Sequence, residues 1–259
     1  MILYLNSDLE LEANALTFNY LMNYQGEVYR HQKNRITQKI EIKGKNYFIK
    51  QHHGVGWREV FKNLFSFKLP VTSALQEWLA IKACFKSGIA VPKVAAFGQK
   101  GKNPAKLKSF ILLQALSPII SLEELTHSWK NQPPKAHFKY MLIKKVASIA
   151  RTLHQHKISH RDFYLCHFLL AEPYTRDAPL YLIDLHRATQ HLYIRKRWII
   201  KDLAGLYFSS QNIGLTKRDC LRFIKTYTQQ SLKHVLTKKL IFWLKVKKRG
   251  EQLYDEHRK

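Results

Sequence analysis

Between residues 27 and 50 apolar and polar side chains alternate, and Lys43-Gly44-Lys45-Asn46 interrupts the alternation. A period of two marks a half-buried strand and a glycine-containing break marks a turn. The pattern therefore predicts a β-hairpin of strands 36–42 and 46–50, the third strand of its region ending on Lys50. Residues 51–70 follow no period and stop at Pro70. From Thr72 to Ser87 the period lengthens. Leu75, Trp78, Leu79 and Ala83 recur at helical spacing, with Thr72 or Ser73 as N-cap and Gly88 past the end. Two short apolar runs, Val94–Phe97 and Phe110–Leu116, flank a basic loop at 98–108 and read as paired strands.

After this point the pattern is mainly helical. Ser121 followed by Glu124 has the form of a capping box for a helix that Pro133-Pro134 ends. Residues 135–156 predict a long amphipathic helix, 168–170 and 180–184 two apolar strands, and about 199–209 and 216–248 further helices. Strands early and helices late give an α+β class. The expected organisation is a small β-rich lobe over 1–116 and a larger helical lobe over 117–259.

Composition changes this picture mainly through charge. The chain has 259 residues, 46% hydrophobic and 24% charged, which is ordinary for a folded protein. Its 44 Lys and Arg against 18 Asp and Glu give a net charge of +26, and residues 1–30 run the other way with four acids and one base. Such a field attracts polyanions: nucleic acid, anionic lipid or a phosphorylated glycolipid. Three scattered cysteines, Cys84, Cys166 and Cys220, fit neither a disulfide framework nor a metal motif and suggest a reducing compartment. Neither a signal peptide nor an apolar run of the roughly 18–20 residues needed to span a bilayer is visible, so a cytoplasmic protein able to touch a membrane face is expected.

The candidate chemistry lies in Ile158–Leu170. There His160-Arg161-Asp162 is followed, five residues beyond the aspartate, by His167 and then by an apolar strand. A second carboxylate, Asp184, closes the run Leu180-Tyr181-Leu182-Ile183 22 positions after Asp162. Phosphoryl transfer needs two carboxylates in different roles, one orienting the attacking hydroxyl and one holding the metal on the nucleotide phosphates. This assigns Asp162 as base and Asp184 as Mg²⁺ carboxylate. Lys50, at a strand end, and Glu77, 27 positions later on the next helix, suit the lysine–glutamate pair that positions ATP. Arg161 is read as structural, pairing with a nearby acid, and His160 as packing beneath the loop.

Three departures exclude a conventional protein kinase: His167 in place of asparagine, Asp184-Leu185-His186 in place of Asp-Phe-Gly, and no glycine-rich phosphate loop around the isolated Gly26. Because Mg²⁺ prefers oxygen ligands, His167 either weakens a second metal site or donates to phosphate.

The run His160-Arg161-Asp162-Phe163-Tyr164-Leu165-Cys166-His167-Phe168-Leu169-Leu170 closely resembles the catalytic loop of lipopolysaccharide core heptose(I) kinases, the WaaP/RfaP family. Further segments agree in order over about residues 26–230: Tyr47–Lys50, Gly56-Trp57 with Glu59, Phe61–Leu64, Leu69–Val71, Glu77-Trp78, Ala95–Gly98, Leu182–Arg187 and Lys201–Ser210. The resemblance implies a bilobal protein-kinase-like fold and transfer of the ATP γ-phosphate to O-4 of heptose I in the lipopolysaccharide inner core. Carried over residue by residue, Asp162 is the base and Lys50 with Glu77 the nucleotide pair. Asp184 with His167 forms the metal and phosphate end, and Asp202 braces the loop. It also implies a lipopolysaccharide acceptor at an anionic inner leaflet in Gram-negative bacteria, and peripheral attachment there. Acyl carrier protein is a further expected acidic partner.

The tail from Ser231, with Leu240-Ile241-Phe242-Trp243-Leu244 followed by basic residues, would suit such a surface as a basic amphipathic helix. A related Kdo or small-molecule kinase of the same fold shares the two carboxylates and is an alternative. A non-catalytic basic lipid- or nucleic-acid-binding scaffold is another, but it gives no reason to keep Lys50, Glu77, Asp162 and Asp184 together. No nucleic-acid-binding signature is present, so nucleic acid is not an expected partner.

Overall fold

A computed structural model describes residues 1–12, 14–32, 34–54, 56–57, 61, 73–103 and 105–258. The expected N-cap Thr72, the stop at Pro70, and Glu59, Lys62–Leu64 and Leu69–Val71 of the resemblance lie outside these. The chain divides into two compact units, Met1–Lys82 with Pro92–Leu116, and Ala83–Val91 with Ser117–Lys259. Residues 83–91 thus group with the second unit, where the N–H of Leu182 donates to the carbonyl of Ala90 at 2.8 Å.

The first unit is built on a six-stranded antiparallel sheet of β1 (Ile2–Leu5), β2 (Glu27–Gln32), β3 (Arg35–Ile42), β4 (Lys45–His52), β5 (Val94–Lys100) and β6 (Lys108–Gln114). Their order across the sheet is β1-β5-β6-β4-β3-β2. The hairpin of the sequence pattern is β3–β4. Lys50 lies on the fourth strand, which runs two residues past it. Successive side chains alternate between faces. Tyr47 and Ile49 of β4 join Phe110 and Leu112 of β6 in a core covered by α1 (Phe18–Asn23), where Phe18 packs on Phe110 with ring centroids 5.6 Å apart. Two buried amides seat that helix. Gln51 Nε2 donates to the carbonyls of Leu21 and Tyr24, while Gln51 Oε1 accepts from Gln38 Nε2.

Lys50 therefore points to the opposite face, with Ile111 and Phe97, the register partners in β6 and β5. The helix α2 (Leu75–Lys86) packs on that face, and its Trp78 stacks on Phe97 at 4.4 Å and 10°. Its start is marked by Ser73, whose Oγ accepts from the N–H of Leu75 at 3.2 Å.

The second unit contains β7 (Ile119–Ser121), α3 (Leu122–Thr126), α4 (Ala136–Gln155), β8 (Ile158–Ser159), β9 (Phe168–Ala171), β10 (Leu180–Leu182) and β11 (Thr189–Gln190). After these come α5 (Lys196–Ser209), α6 (Lys217–Thr228), α7 (Leu232–Lys238) and α8 (Leu240–Arg258). Both halves of the capping box at Ser121 and Glu124 are formed. In α4 the buried Leu142, Val146, Ala147, Ala150, Leu153 and His154 make one stripe. The stretch expected as helix over 216–248 is three helices. Gln229 turns left-handed at φ 53°, Ser231 caps the next start, and Lys239 ends α7. Gly250 of α8 sets the approach to α5, since a Cβ there would fall 2.6 Å from Tyr207 Cδ1 and 3.1 Å from the carbonyl of Ala204.

Candidate active site

Two very short strand pairings assemble the site in the second unit. β9 and β10 are antiparallel with Phe168 opposite Leu182, so the residues just before one strand and just after the other must meet. They do so through the Ile183 N–H, which donates to the His167 carbonyl at 3.0 Å, and beyond it His167 Nε2 stands 3.7 Å from Asp184 Oδ2. β8 pairs with β11, Ser159 opposite Thr189, which brings the segment before β11 alongside His160–Asp162. Arg187 Nη1 consequently reaches both carboxylate oxygens of Asp162, at 2.8 and 3.2 Å.

The loop is held from beneath by Asp202 on α5, only 1% exposed. Its Oδ2 accepts from the His160 N–H at 2.8 Å and its Oδ1 from the Arg161 N–H at 2.7 Å. His154 Nε2 lies 3.4 Å from Oδ2, and its Nδ1 lies 2.9 Å from the Tyr227 hydroxyl. Burial pushes the Tyr227 hydroxyl well above its ordinary range, so it stays protonated and donates to His154. With both Asp202 oxygens engaged, the Arg161 guanidinium makes no acid pair among the described residues; it lies over the Trp198 ring at 4.6 Å. Arg161 itself is left-handed, at φ 73°, a conformation of the kind retained where the surroundings over-determine it.

His160 is fully buried, and burial lowers its pKa, so the ring is neutral. Its Nε2 carries the proton and donates to the Ile183 carbonyl at 3.0 Å. His167 uses the other nitrogen: Nδ1 donates to the Asp162 carbonyl at 2.6 Å, which turns Nε2 toward Asp184. Asp184 is left-handed too, at φ 59°, and its Oδ1 accepts from His186 Nδ1 at 2.6 Å. Short polar side chains tolerate this region better than branched ones do. Cys166 sits within the loop, but burial raises its pKa to about 11, so it is a thiol with no nucleophilic role.

Asp162, His167, Asp184, Arg161 and Asp202 are thus neighbours in one unit. Lys50 and Glu77 belong to the other, where Lys50 Nζ meets Glu77 Oε1 at 2.5 Å with Glu77 almost fully buried. Arg187, His186 and Trp198 were not assigned roles by sequence. The run Leu182–Arg187 contains two of them, but the strands that position Arg187 are two residues long and carry no period.

Chemically, the second unit presents one carboxylate held by a guanidinium (Asp162) and another beside an imidazole (Asp184). No group of three or more His, Cys, Asp or Glu suited to a metal occurs among the described residues. Mg²⁺ is a hard cation that takes oxygen ligands, and a carboxylate such as that of Asp184, beside His167, is the donor type it suits.

The model of the lipopolysaccharide kinase (Kdo/WaaP) family matches residues 19–227. Over 236 residues the chain is 42% identical to lipopolysaccharide core heptose(I) kinase WaaP of Pseudomonas aeruginosa, covering 89% of this chain and 87% of that one. Against the Escherichia coli protein of the same name it is 45% identical over 222 residues, 85% and 84% of the two chains. A solved structure, WaaP in complex with acyl carrier protein, matches with a TM-score of 0.84 at 35% identity, covering 98% of this chain and 100% of that chain. The β-sheet unit, the helical unit and the braced His-Arg-Asp loop are thus those of a kinase-like fold, and the chain belongs to the lipopolysaccharide kinase (Kdo/WaaP) family.

Proposed function

We propose that this kinase transfers the γ-phosphate of ATP to O-4 of heptose I in the lipopolysaccharide inner core, at the cytoplasmic face of the inner membrane. The observation that carries the reading is the pair of carboxylates, Asp162 on Arg187 and Asp184 beside His167, in a chain 42–45% identical to heptose(I) kinases over most of its length. Asp162 orients the acceptor hydroxyl and takes its proton. Lys50, steadied by Glu77, binds the α- and β-phosphates. Asp184 holds Mg²⁺, and His167 supports the metal and phosphate end. When bound, Mg²⁺ would neutralise the charge developing on the phosphates. The reading is tested by incubating the full chain with ATP, Mg²⁺ and deacylated inner-core saccharide. One phosphate per saccharide, on the heptose, is expected; ATP turnover without transfer to the saccharide, or transfer to another sugar, would overturn it.

Acyl carrier protein is the proposed macromolecular partner. A cavity of ≈ 530 Å³ in the helical unit is lined by apolar side chains including Leu142, Val146, Leu203, Leu206, Phe223 and Trp243, with Lys139, Lys217 and Lys247 among its polar members. That size and lining suit an alkyl chain. An acidic carrier also complements the +26 charge.

Peripheral membrane attachment is assigned to α7 and α8. No helix among the described residues is long and apolar enough to cross a membrane. From Ser231 to Gly250 there are seven Lys and Arg and no acid, while Leu236, Leu240, Ile241 and Leu244 are exposed, Ile241 at 72%. Each cation near an anionic leaflet contributes about 1 kcal/mol, and salt screens it. Affinity for vesicles containing anionic phospholipid should fall about tenfold or more as NaCl rises from roughly 0.05 to 0.3 M. Sedimentation with vesicles measures this, and binding indifferent to salt would remove the surface assignment.

A further inference from the structure

At the start of α5 four cations, Arg195, Lys196, Arg197 and Lys201, fall within seven residues. The first turn holds Lys196 and Arg197 after Arg195 at the N-cap, with no acidic residue and no side-chain cap. Cations at a helix N-terminus oppose its dipole, so this end is electrostatically uncompensated. Arg197 also shares an aromatic ring with a second guanidinium: it lies 4.8 Å from the Trp198 centroid, and Arg161 lies 4.6 Å from the same centroid. Lys201 follows Arg197 by four residues, which puts it on the same helix face.

The acids nearest this group already have other partners. Asp202 is engaged by two backbone N–H groups, and Asp162 by Arg187. Lys201 makes no hydrogen bond or ion pair among the described residues. Burial lowers its pKa and repulsion from Arg187 and Arg161 lowers it further, against the pull of Asp162 and Asp202. Arg161 is depressed for the same reasons, burial first, then Arg187.

We propose that Arg197 and Lys201 form a receptor for an oxyanion on the saccharide acceptor, beside the sugar that is phosphorylated, and that this contact presents the neutral hydroxyl to Asp162. The inference rests on the saccharide-kinase reading above and names how that acceptor is recognised. Two sources share the chemistry, a sugar carboxylate and a phosphate monoester. A guanidinium and an ammonium on adjacent turns suit either, because both accept charge-assisted hydrogen bonds. The Arg197 guanidinium rests against the Trp198 ring, which limits the entropy lost on binding.

The test uses the full chain and four acceptors: intact deacylated inner-core saccharide, the carboxyl-reduced form, the phosphatase-treated form, and the form with both groups removed. For the wild type, removing the recognised oxyanion should lower kcat/KM about tenfold or more, mainly through KM, and the arm that does so identifies the source. In Arg197→Ala and Lys201→Met the ratio of kcat/KM for charged over neutral acceptor should fall by about the same factor, with Arg197→Lys restoring part of it. A purely structural role would lower both acceptors together and leave the ratio unchanged. That result, or a wild type indifferent to both groups, overturns the receptor while leaving the kinase reading in place. Wild-type transfer to none of the four overturns the kinase reading, and the receptor with it.

Discussion

Asp162→Asn should lower kcat for phosphoryl transfer to the saccharide by about 10³-fold or more, while ATP affinity stays within about threefold of wild type. The asymmetry follows from the geometry. Arg187 Nη1 contacts both Asp162 oxygens, and an asparagine keeps one acceptor for it, so the loop retains its shape. The Asp162 carbonyl that receives His167 Nδ1–H is backbone and is untouched. What is lost is the second anionic oxygen, to which the proposed mechanism gives the orienting of the acceptor hydroxyl and the acceptance of its proton. Proton removal contributes only part of the loss where the transition state is loose, and orientation supplies the rest. Single-turnover transfer from labelled ATP measures the chemical step, and calorimetric titration measures nucleotide binding. A variant transferring within tenfold of wild type would remove Asp162 from the mechanism. A parallel collapse of nucleotide binding would turn it into a structural residue.

How much of this site could be read before the structure depended on whether its determinants were contiguous. His160-Arg161-Asp162 and His167 occupy eight consecutive positions, and Asp184 ends an apolar run, so spacing alone brought them forward. Lys50 and Glu77 were legible because period two on β4 and a helical period on α2 locate one face of each. Arg187 was not. Its place on Asp162 depends on the β8–β11 pair, two residues per strand, too short for any hydrophobic pattern. Arg161 was given an acid partner because sequence cannot show that both Asp202 oxygens are taken by backbone donors.

The same reasoning accounts for the misread elements. β1 is an edge strand whose Ile2, Leu3 and Tyr4 are all exposed, so it has no alternation to find. α1 is six residues long, less than two turns. The breaks between α6, α7 and α8 fall at Gln229 and Lys239, with no glycine or proline to mark them. The long, strongly patterned elements α4 and β3–β4 came out within a residue or two.

Asp202→Ala is expected to damage stability and catalysis together. Two backbone donors, the N–H groups of His160 and Arg161, lose their acceptor in a region closed to solvent, and His154 loses the carboxylate beside its Nε2. An unsatisfied buried donor costs about 1–3 kcal/mol, so the two together cost about 2–6 kcal/mol. For a chain of this size that lowers Tm by roughly 5–15 °C. Asparagine should be little better. Its single carbonyl oxygen can accept from one of the two N–H groups, and its amide N–H₂ then faces the other donor. Transfer should drop about 100-fold or more, because these bonds help hold the left-handed φ of Arg161 and Asp162 is the next residue. ATP contacts assigned to Lys50 and Glu77 lie in the other unit, so nucleotide affinity should change far less. Hydrogen exchange resolves the mechanism directly. The amides of His160 and Arg161 should exchange slowly in the wild type and fast in Asp202→Ala at a temperature where α4 remains protected. If those two amides stay slow, or if the variant melts within about 2 °C of wild type, the loop is held by its neighbours and Asp202 is not its anchor.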